Sequence, residues 1–226
     1  MVLGEVLKGT GAALDTVTAS LEIAGITHDS RRVRPAFAFF ALTGRMADGH
    51  SYAADAMKHG AAACICERRI EGLPLPQVVL PNARRALAFA AANFYGNPQR
   101  RMRLVGVTGT NGKTSTAYML KTIFSHGGYK TALLGTAKGS IGDAAYTPPL
   151  DAAEADEYET MTTPDPEVLY RTLADLAARG VEVTVMEASS HALALDKLAP
   201  IEFALGIFTN LSHEHLDFHG SMENYL

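Results

Sequence analysis

The 226-residue chain has no tryptophan and two cysteines, and its 20 basic and 24 acidic side chains nearly cancel, at a formal charge of −4. So small a net charge gives no sequence-wide positive field to gather nucleic acid or an anionic bilayer, and neither is expected as a partner. No apolar stretch approaches the roughly 20 residues a membrane-spanning helix needs. The opening MVLGEVLKGTGAALDTV lacks the basic flank and long apolar run of a secretory signal, so a cytoplasmic protein is expected. Cys64 and Cys66 stand in the apolar run AAACIC, where strand alternation turns both thiols toward a core, and no further ligands at finger-like spacing argue for zinc.

What is present is an ordinary globular balance, 47% hydrophobic and 19% charged residues, far from the composition of disorder. At about 150 residues per domain, the length suits two small domains. Residues 1–100 read as a small α/β unit, with strands at 37–42, 62–66 and 77–80 and helices at 52–59 and 83–95. The polar, turn-rich Gly96-Asn97-Pro98-Gln99-Arg100-Arg101 follows, and the domain boundary is placed near residue 100. Over residues 101–226 the rhythm becomes strand, glycine turn, helix, strand: RLVGVTG, a helix over 114–126, then KTALLG, which predicts a parallel sheet. Residues 139–163, with Pro148-Pro149 and five carboxylates between Asp151 and Glu159, read as a surface excursion. A helix over 165–179, strands over 181–187 and 203–209, and a helix begun at Ser221 complete the pattern.

The strand over 104–107 runs into Thr108-Gly109-Thr110-Asn111-Gly112-Lys113-Thr114, which opens a helix. Consecutive backbone N–H groups and the positive end of the helix then converge on one point, which suits a phosphate. Lys113 adds a mobile cation for the terminal phosphates, and the Thr114 hydroxyl is placed to ligate a Mg2+ ion bridging them. Gly109, Thr110, Asn111, Gly112, Lys113, Thr114 and Ser115 are therefore the candidate ATP-binding set. The G-x-x-x-x-G-K-[ST] pattern is met except at its first glycine, where Val107 stands.

The variant T-G-T-N-G-K-T resembles the loop of the Mur ligases and their folylpolyglutamate synthetase relatives, ATP-dependent enzymes that form amide bonds through an acyl phosphate. His28-Asp29-Ser30-Arg31, the strand over 37–42, Gly44, Asp48-Gly49 and Gly60-Ala61 look like the first-domain pattern of ligases acting on UDP-muramoyl peptides. Thr162-Thr163-Pro164, the run Glu187-Ala188-Ser189-Ser190-His191-Ala192-Leu193, and the run from Asn210 through Ser212-His213-Glu214-His215 to Asp217 look like the branch that adds the third peptide residue.

The resemblance implies a small N-terminal α/β uridine-nucleotide domain over 1–100 and, over 101–226, part of a P-loop-type parallel-sheet ATPase domain, truncated, with the C-terminal amino-acid-binding domain absent. It implies ATP and Mg2+ as cofactors. UDP-N-acetylmuramoyl-L-alanyl-D-glutamate and an amino acid, diaminopimelate or lysine, are the implied substrates. Lys113, Glu187 and His215 become the catalytic set, with Thr114, Glu187 and His215 at the metal. Ser30, Arg45, Met46 and Ala47 would meet the uridine diphosphate, and Thr162, Thr163 and Ser189 the muramoyl dipeptide. His213 and His219 are expected to be structural or at the surface.

Three departures stand out. Leu195 and Lys197 replace a frequent glutamine and arginine, so the amide hydrogen bond is lost and a bidentate fork becomes a point charge at the substrate's anionic end. Glu214 replaces the usual aspartate before His215, and Ala36 a turn glycine. The isolated chain is expected not to turn over. The sister ligase adding D-alanyl-D-alanine shares the loop and the first-domain pattern and is the alternative enzyme; a non-catalytic nucleotide-binding module is the alternative of another class.

Overall fold

Apolar runs closed off by polar turns become the strands of two separate sheets in the computed structural model, which describes residues 1–44, 47–136 and 139–226. The architecture is α/β, and the chain divides into two units, Met1–Gly96 and Asn97–Leu226.

The first unit contains α1 (Leu3–Val6), α2 (Thr16–Ala19), β1 (Gly25–Thr27), β2 (Phe37–Ala41), α3 (Ala53–Lys58), β3 (Ala61–Cys66), β4 (Gln77–Val79) and α4 (Ala83–Phe94). Its four strands lie in chain order, all parallel. Phe39, Ala41, Cys64 and Cys66, two residues apart on neighbouring strands, share one buried cluster with Ala53 and Ala56 of α3. Both thiols are free and fully buried, as the alternation of the AAACIC run predicts. The helix α4 starts on an Asn82 cap whose side chain accepts from the Arg85 N–H, and its buried face is mostly alanine, which lets it lie close to β1 and β2.

The second unit contains β5 (Arg103–Thr108), α5 (Lys113–His126), β6 (Thr131–Leu134), β7 (Ser140–Ile141), β8 (Ala144–Ala145), α6 (Ala152–Thr160), α7 (Pro166–Ala178), β9 (Val183–Glu187), α8 (Ser190–Ala194), β10 (Leu205–Phe208), α9 (Leu216–His219) and α10 (Met222–Tyr225). The sheet order is β10-β5-β9-β6-β7-β8; the first four strands are parallel, and β7 and β8 run as an antiparallel hairpin beside β6. Val105, Val107, Leu133, Val183 and Val185 form one buried face, on which Ala117, Leu120 and Phe124 of α5 pack. The margin strand β10 leaves Leu205 and Phe208 exposed.

The segment 139–163 is more ordered than its acidity predicts. Asp151 and Glu154 cap α6 reciprocally: the Glu154 N–H donates to Asp151 Oδ1 at 3.0 Å and the Asp151 N–H to Glu154 Oε2 at 3.1 Å. Glu154 is itself buried and pairs with Arg171 of α7, so one of the five carboxylates anchors the segment instead of facing water. Among the described residues no helix is long and apolar enough to cross a membrane.

Candidate functional site

The four parallel strands of the second unit all deliver chain to one edge, because each ends there: β5 into residues 109–112, β6 into Gly135 and Thr136, β9 into Glu187 and α8, and β10 into residues 209–212. Ligand sites in open parallel sheets lie at this carboxyl edge.

The loop after β5 has the backbone that its glycines permit. Gly109 sits at φ +125° and Gly112, the residue before α5, at φ +84°. Having no side chain, Gly112 cannot cap α5. The first-turn amides of that helix, from Lys113 to Ser115, have no carbonyl one turn back to bond and remain available to an anion. The Lys113 ammonium folds over the loop and donates to the carbonyls of Gly109 at 2.7 Å and Thr110 at 2.9 Å. An ammonium has three N–H groups, so one is left to meet a phosphate.

Two of the amides expected to cradle phosphate are engaged elsewhere. The Thr110 N–H donates to the Asn210 carbonyl at 2.9 Å, and the Asn111 N–H to Asn210 Oδ1 at 3.1 Å. The Thr110 side chain is buried; its Oγ1 accepts from the Ser212 N–H at 2.9 Å and lies 3.0 Å from the Tyr225 hydroxyl. Asn210 heads a motif that stands out in the sequence, but spacing gives it no role, because its partner lies 99 residues away in the chain.

Glu187 ends β9 and is 2% exposed. Its Oε2 accepts from the Thr114 hydroxyl at 3.1 Å and the Thr136 hydroxyl at 3.3 Å, and its Oε1 from the Thr136 N–H at 3.2 Å. Among the described residues no cationic side chain reaches it. A buried carboxylate without a counter-ion costs several kcal/mol, and the hard oxygens of Thr114 and Glu187 fit Mg2+, which takes one or two protein oxygens and fills its shell with water and phosphate. His215 is placed by other contacts. Its backbone is left-handed, at φ +54°, and its ring meets His191 edge-on at 4.8 Å between centroids. His191 also packs on Phe218, while His219 stacks on Tyr225 and lies 3.0 Å from the Ser190 hydroxyl. Burial, and then the neighbouring His215 and His219, hold His191 below the usual imidazole range. Among the described residues no three His, Cys, Asp or Glu side chains gather in a metal-binding group.

The hydroxyl-bearing residues divide by what they already bond. The Thr163 hydroxyl is buried, donating to the Glu187 carbonyl at 2.9 Å and accepting from the Ser189 N–H at 3.0 Å. Ser189 caps α8 through the Ala192 N–H, and Thr162 meets the Thr136 hydroxyl at 2.9 Å. Lys197 is paired with Asp165 at 2.6 Å, so the charge expected to face a substrate is already balanced.

In the first unit, Ser30 opens a one-turn helix capped by Asp29, and its carbonyl lies 2.9 Å from His59 Nδ1. Arg45 and Met46 lie outside the described residues; Ala47 is exposed and accepts the Gly44 N–H at 2.9 Å. Asp48 bonds Arg68 and lies 2.7 Å from Nδ1 of the buried His50. His50 Nε2 accepts the Glu67 N–H at 3.2 Å, which fixes the Nδ1–H tautomer. Arg68 first, and then His50, hold the Asp48 carboxyl down at about 2. A depressed carboxyl stabilises the fold above its unfolded value of 3.8 and loses that contribution as pH falls through its folded value. The Tm difference between the parent and Asp48→Asn is therefore expected to be constant above about pH 5 and to close toward pH 2; a difference that stays constant through acid would sever the link.

The comparisons with known proteins cover both units. The model described as Mur ligase middle domain matches residues 107–226, and that described as Mur ligase family, catalytic domain, matches residues 22–95. A UDP-N-acetylmuramoyl-L-alanyl-D-glutamate--2,6-diaminopimelate ligase of Clostridium tetani is 38% identical over all of this chain and 45% of its own length. A UDP-N-acetylmuramyl-tripeptide synthetase of Roseiflexus sp. is 41% identical over 100% of the chain and 43% of its own length. A solved structure of a UDP-N-acetylmuramoyl-L-alanyl-D-glutamate--2,6-diaminopimelate ligase superposes with a TM-score of 0.78 at 27% identity, covering 100% of this chain and 43% of that one. The chain thus spans less than half the length of these relatives.

Proposed function

The chain belongs to the Mur ligase family, and from that premise we propose that it forms the nucleotide-binding part of a ligase that joins an amino acid to UDP-N-acetylmuramoyl-L-alanyl-D-glutamate at the expense of ATP, in the cytoplasm, during peptidoglycan precursor synthesis. The observation that carries this is the loop over 109–115, which combines an uncapped helix start, a spare Lys113 N–H and a Thr114 hydroxyl bonded to the buried Glu187 carboxylate. The names of the relatives support the third-residue branch, and that of the Clostridium tetani ligase supports diaminopimelate as the incoming amine. A solved structure of a UDP-N-acetylmuramoylalanyl-D-glutamyl-2,6-diaminopimelate--D-alanyl-D-alanyl ligase shares the fold at 21% identity.

In this role the first-turn amides of α5 and Lys113 hold the β and γ phosphates, offsetting their repulsion of the approaching D-glutamate carboxylate. Mg2+ held by Thr114 and Glu187, with His215 near the metal group, would supply further neutralisation of phosphate charge. The carboxylate oxygen attacks the γ-phosphorus in line, the bond to the β–γ bridging oxygen breaks, and ADP leaves with the electron pair. The acyl phosphate is then open to the amine, and phosphate departs from the tetrahedral adduct. Ser30 and Ala47 contact the uridine diphosphate, with Arg45 and Met46 beside them, while Thr162, Thr163, Ser189 and Lys197 border the dipeptide.

Calorimetry of the 226-residue chain with MgATP and, separately, with UDP-N-acetylmuramoyl-L-alanyl-D-glutamate tests the assignment. Saturable one-site binding of each, with no ADP release, is expected; binding of neither would overturn it. The Ser30 hydroxyl makes no hydrogen bond to the described residues, so Ser30→Ala is expected to leave Tm unchanged. It should weaken the uridine ligand by about 1 kcal/mol, or roughly fivefold. An unaltered dissociation constant removes Ser30 from the site.

A further inference from the structure

We propose that Asn210 is a positioning residue for the phosphate loop, acting through the loop backbone without touching the nucleotide; this deepens, and rests on, the ATP-binding role proposed above. A primary amide offers one acceptor oxygen and two N–H donors, and Asn210 spends both kinds on a single residue. Its Oδ1 accepts from the Asn111 N–H at 3.1 Å and its Nδ2 donates to the Asn111 carbonyl at 2.9 Å. Its own main-chain carbonyl takes the Thr110 N–H at 2.9 Å.

These bonds continue a sheet pairing past its end. The parallel ladder between β10 and β5 closes at Phe208 opposite Thr108, and the Thr209 N–H still donates to the Thr108 carbonyl at 3.0 Å. Beyond that point the loop must leave the sheet, and the Asn210 side chain supplies the contacts that a strand no longer can. The Thr209 hydroxyl adds a bond to the Asn111 carbonyl at 2.7 Å. The loop replies through Thr110, whose Oγ1 accepts the Ser212 N–H at 2.9 Å. Residues 209–212 thus form a mould for Thr110 and Asn111, and the phosphates are left the amides that follow them and the ammonium of Lys113.

The distinguishing variant is Asn210→Ala, which keeps the main-chain bond to Thr110 and removes both bonds to Asn111. MgATP and magnesium tripolyphosphate are expected to bind at least tenfold more weakly, by the same factor, because the defect is in the loop and not in a contact to the nucleoside. Hydrogen exchange at the Asn111 amide should accelerate, while the amides of Val185 and Leu133 in the sheet stay protected and the uridine ligand binds as in the parent. Affinities within twofold of the parent, an unchanged Asn111 amide, a loss confined to ATP, or a sheet that exchanges faster throughout would each overturn the proposal. A parent chain that binds neither phosphate ligand removes the ATP role as well, whereas a binding parent with an indifferent Asn210→Ala removes this inference alone.

Discussion

Replacing Lys113 with alanine is expected to weaken MgATP binding by about 2–3 kcal/mol, roughly 30- to 150-fold, the usual worth of charge-assisted hydrogen bonds. In the parent the ammonium is pre-placed by the Gly109 and Thr110 carbonyls, so it enters the complex with its geometry already set. Its removal leaves those carbonyls at a partly exposed loop, where water takes over, and Tm is expected to change by less than about 4 °C. Affinity for the uridine ligand, whose proposed contacts Ser30 and Ala47 lie in the first unit, should not move. Calorimetry with both ligands separates the cases: undiminished MgATP binding by Lys113→Ala would dismiss the loop as the phosphate site.

Gly109→Ala is the more drastic change. A Cβ there would stand 2.2 Å from Thr209 Oγ1, 2.8 Å from the Asn210 carbonyl oxygen and 3.0 Å from the Asn210 nitrogen. Two of those three atoms are backbone and cannot swing aside. The position also holds φ +125°, where any side chain is strained. Strain and overpacking together are expected to cost on the order of 2–4 kcal/mol. That lowers the Tm of the second unit by roughly 5–15 °C, and MgATP binding should fall below detection at millimolar ligand. Parent-like stability and binding would mean that the loop in solution does not lie against residues 209–212.

Apart from β1, the parallel strands were legible because each is a short apolar run with β-branched or aromatic content between turn signals, and the phosphate loop because its glycines and Lys113 follow a strand and open a helix. Glu187 could be placed at the strand's carboxyl end on the same grounds. What was not legible depends on partners distant in sequence. Spacing alone credits the Thr110 and Asn111 amides to phosphate, whereas Asn210 takes both. Thr163 reads as a free hydroxyl, yet the Glu187 carbonyl and the Ser189 N–H occupy it. Lys197 reads as a free cation, yet Asp165 holds it. The capping pair Asp151 and Glu154 was visible in principle as D-x-x-E ahead of a helical run, but the density of negative charge around it gave the stronger signal. The short elements α1, α2 and β1 carry too few residues for any periodicity to show.

Because β10 has a sheet partner on one side only among the described residues, the mould hangs from an outer rail of the sheet. A thermal fluctuation that peels this rail would carry Asn210 with it and unlatch Asn111, so the proposed grip on triphosphate and the fraying of the sheet's outer hem are tied to the same motion.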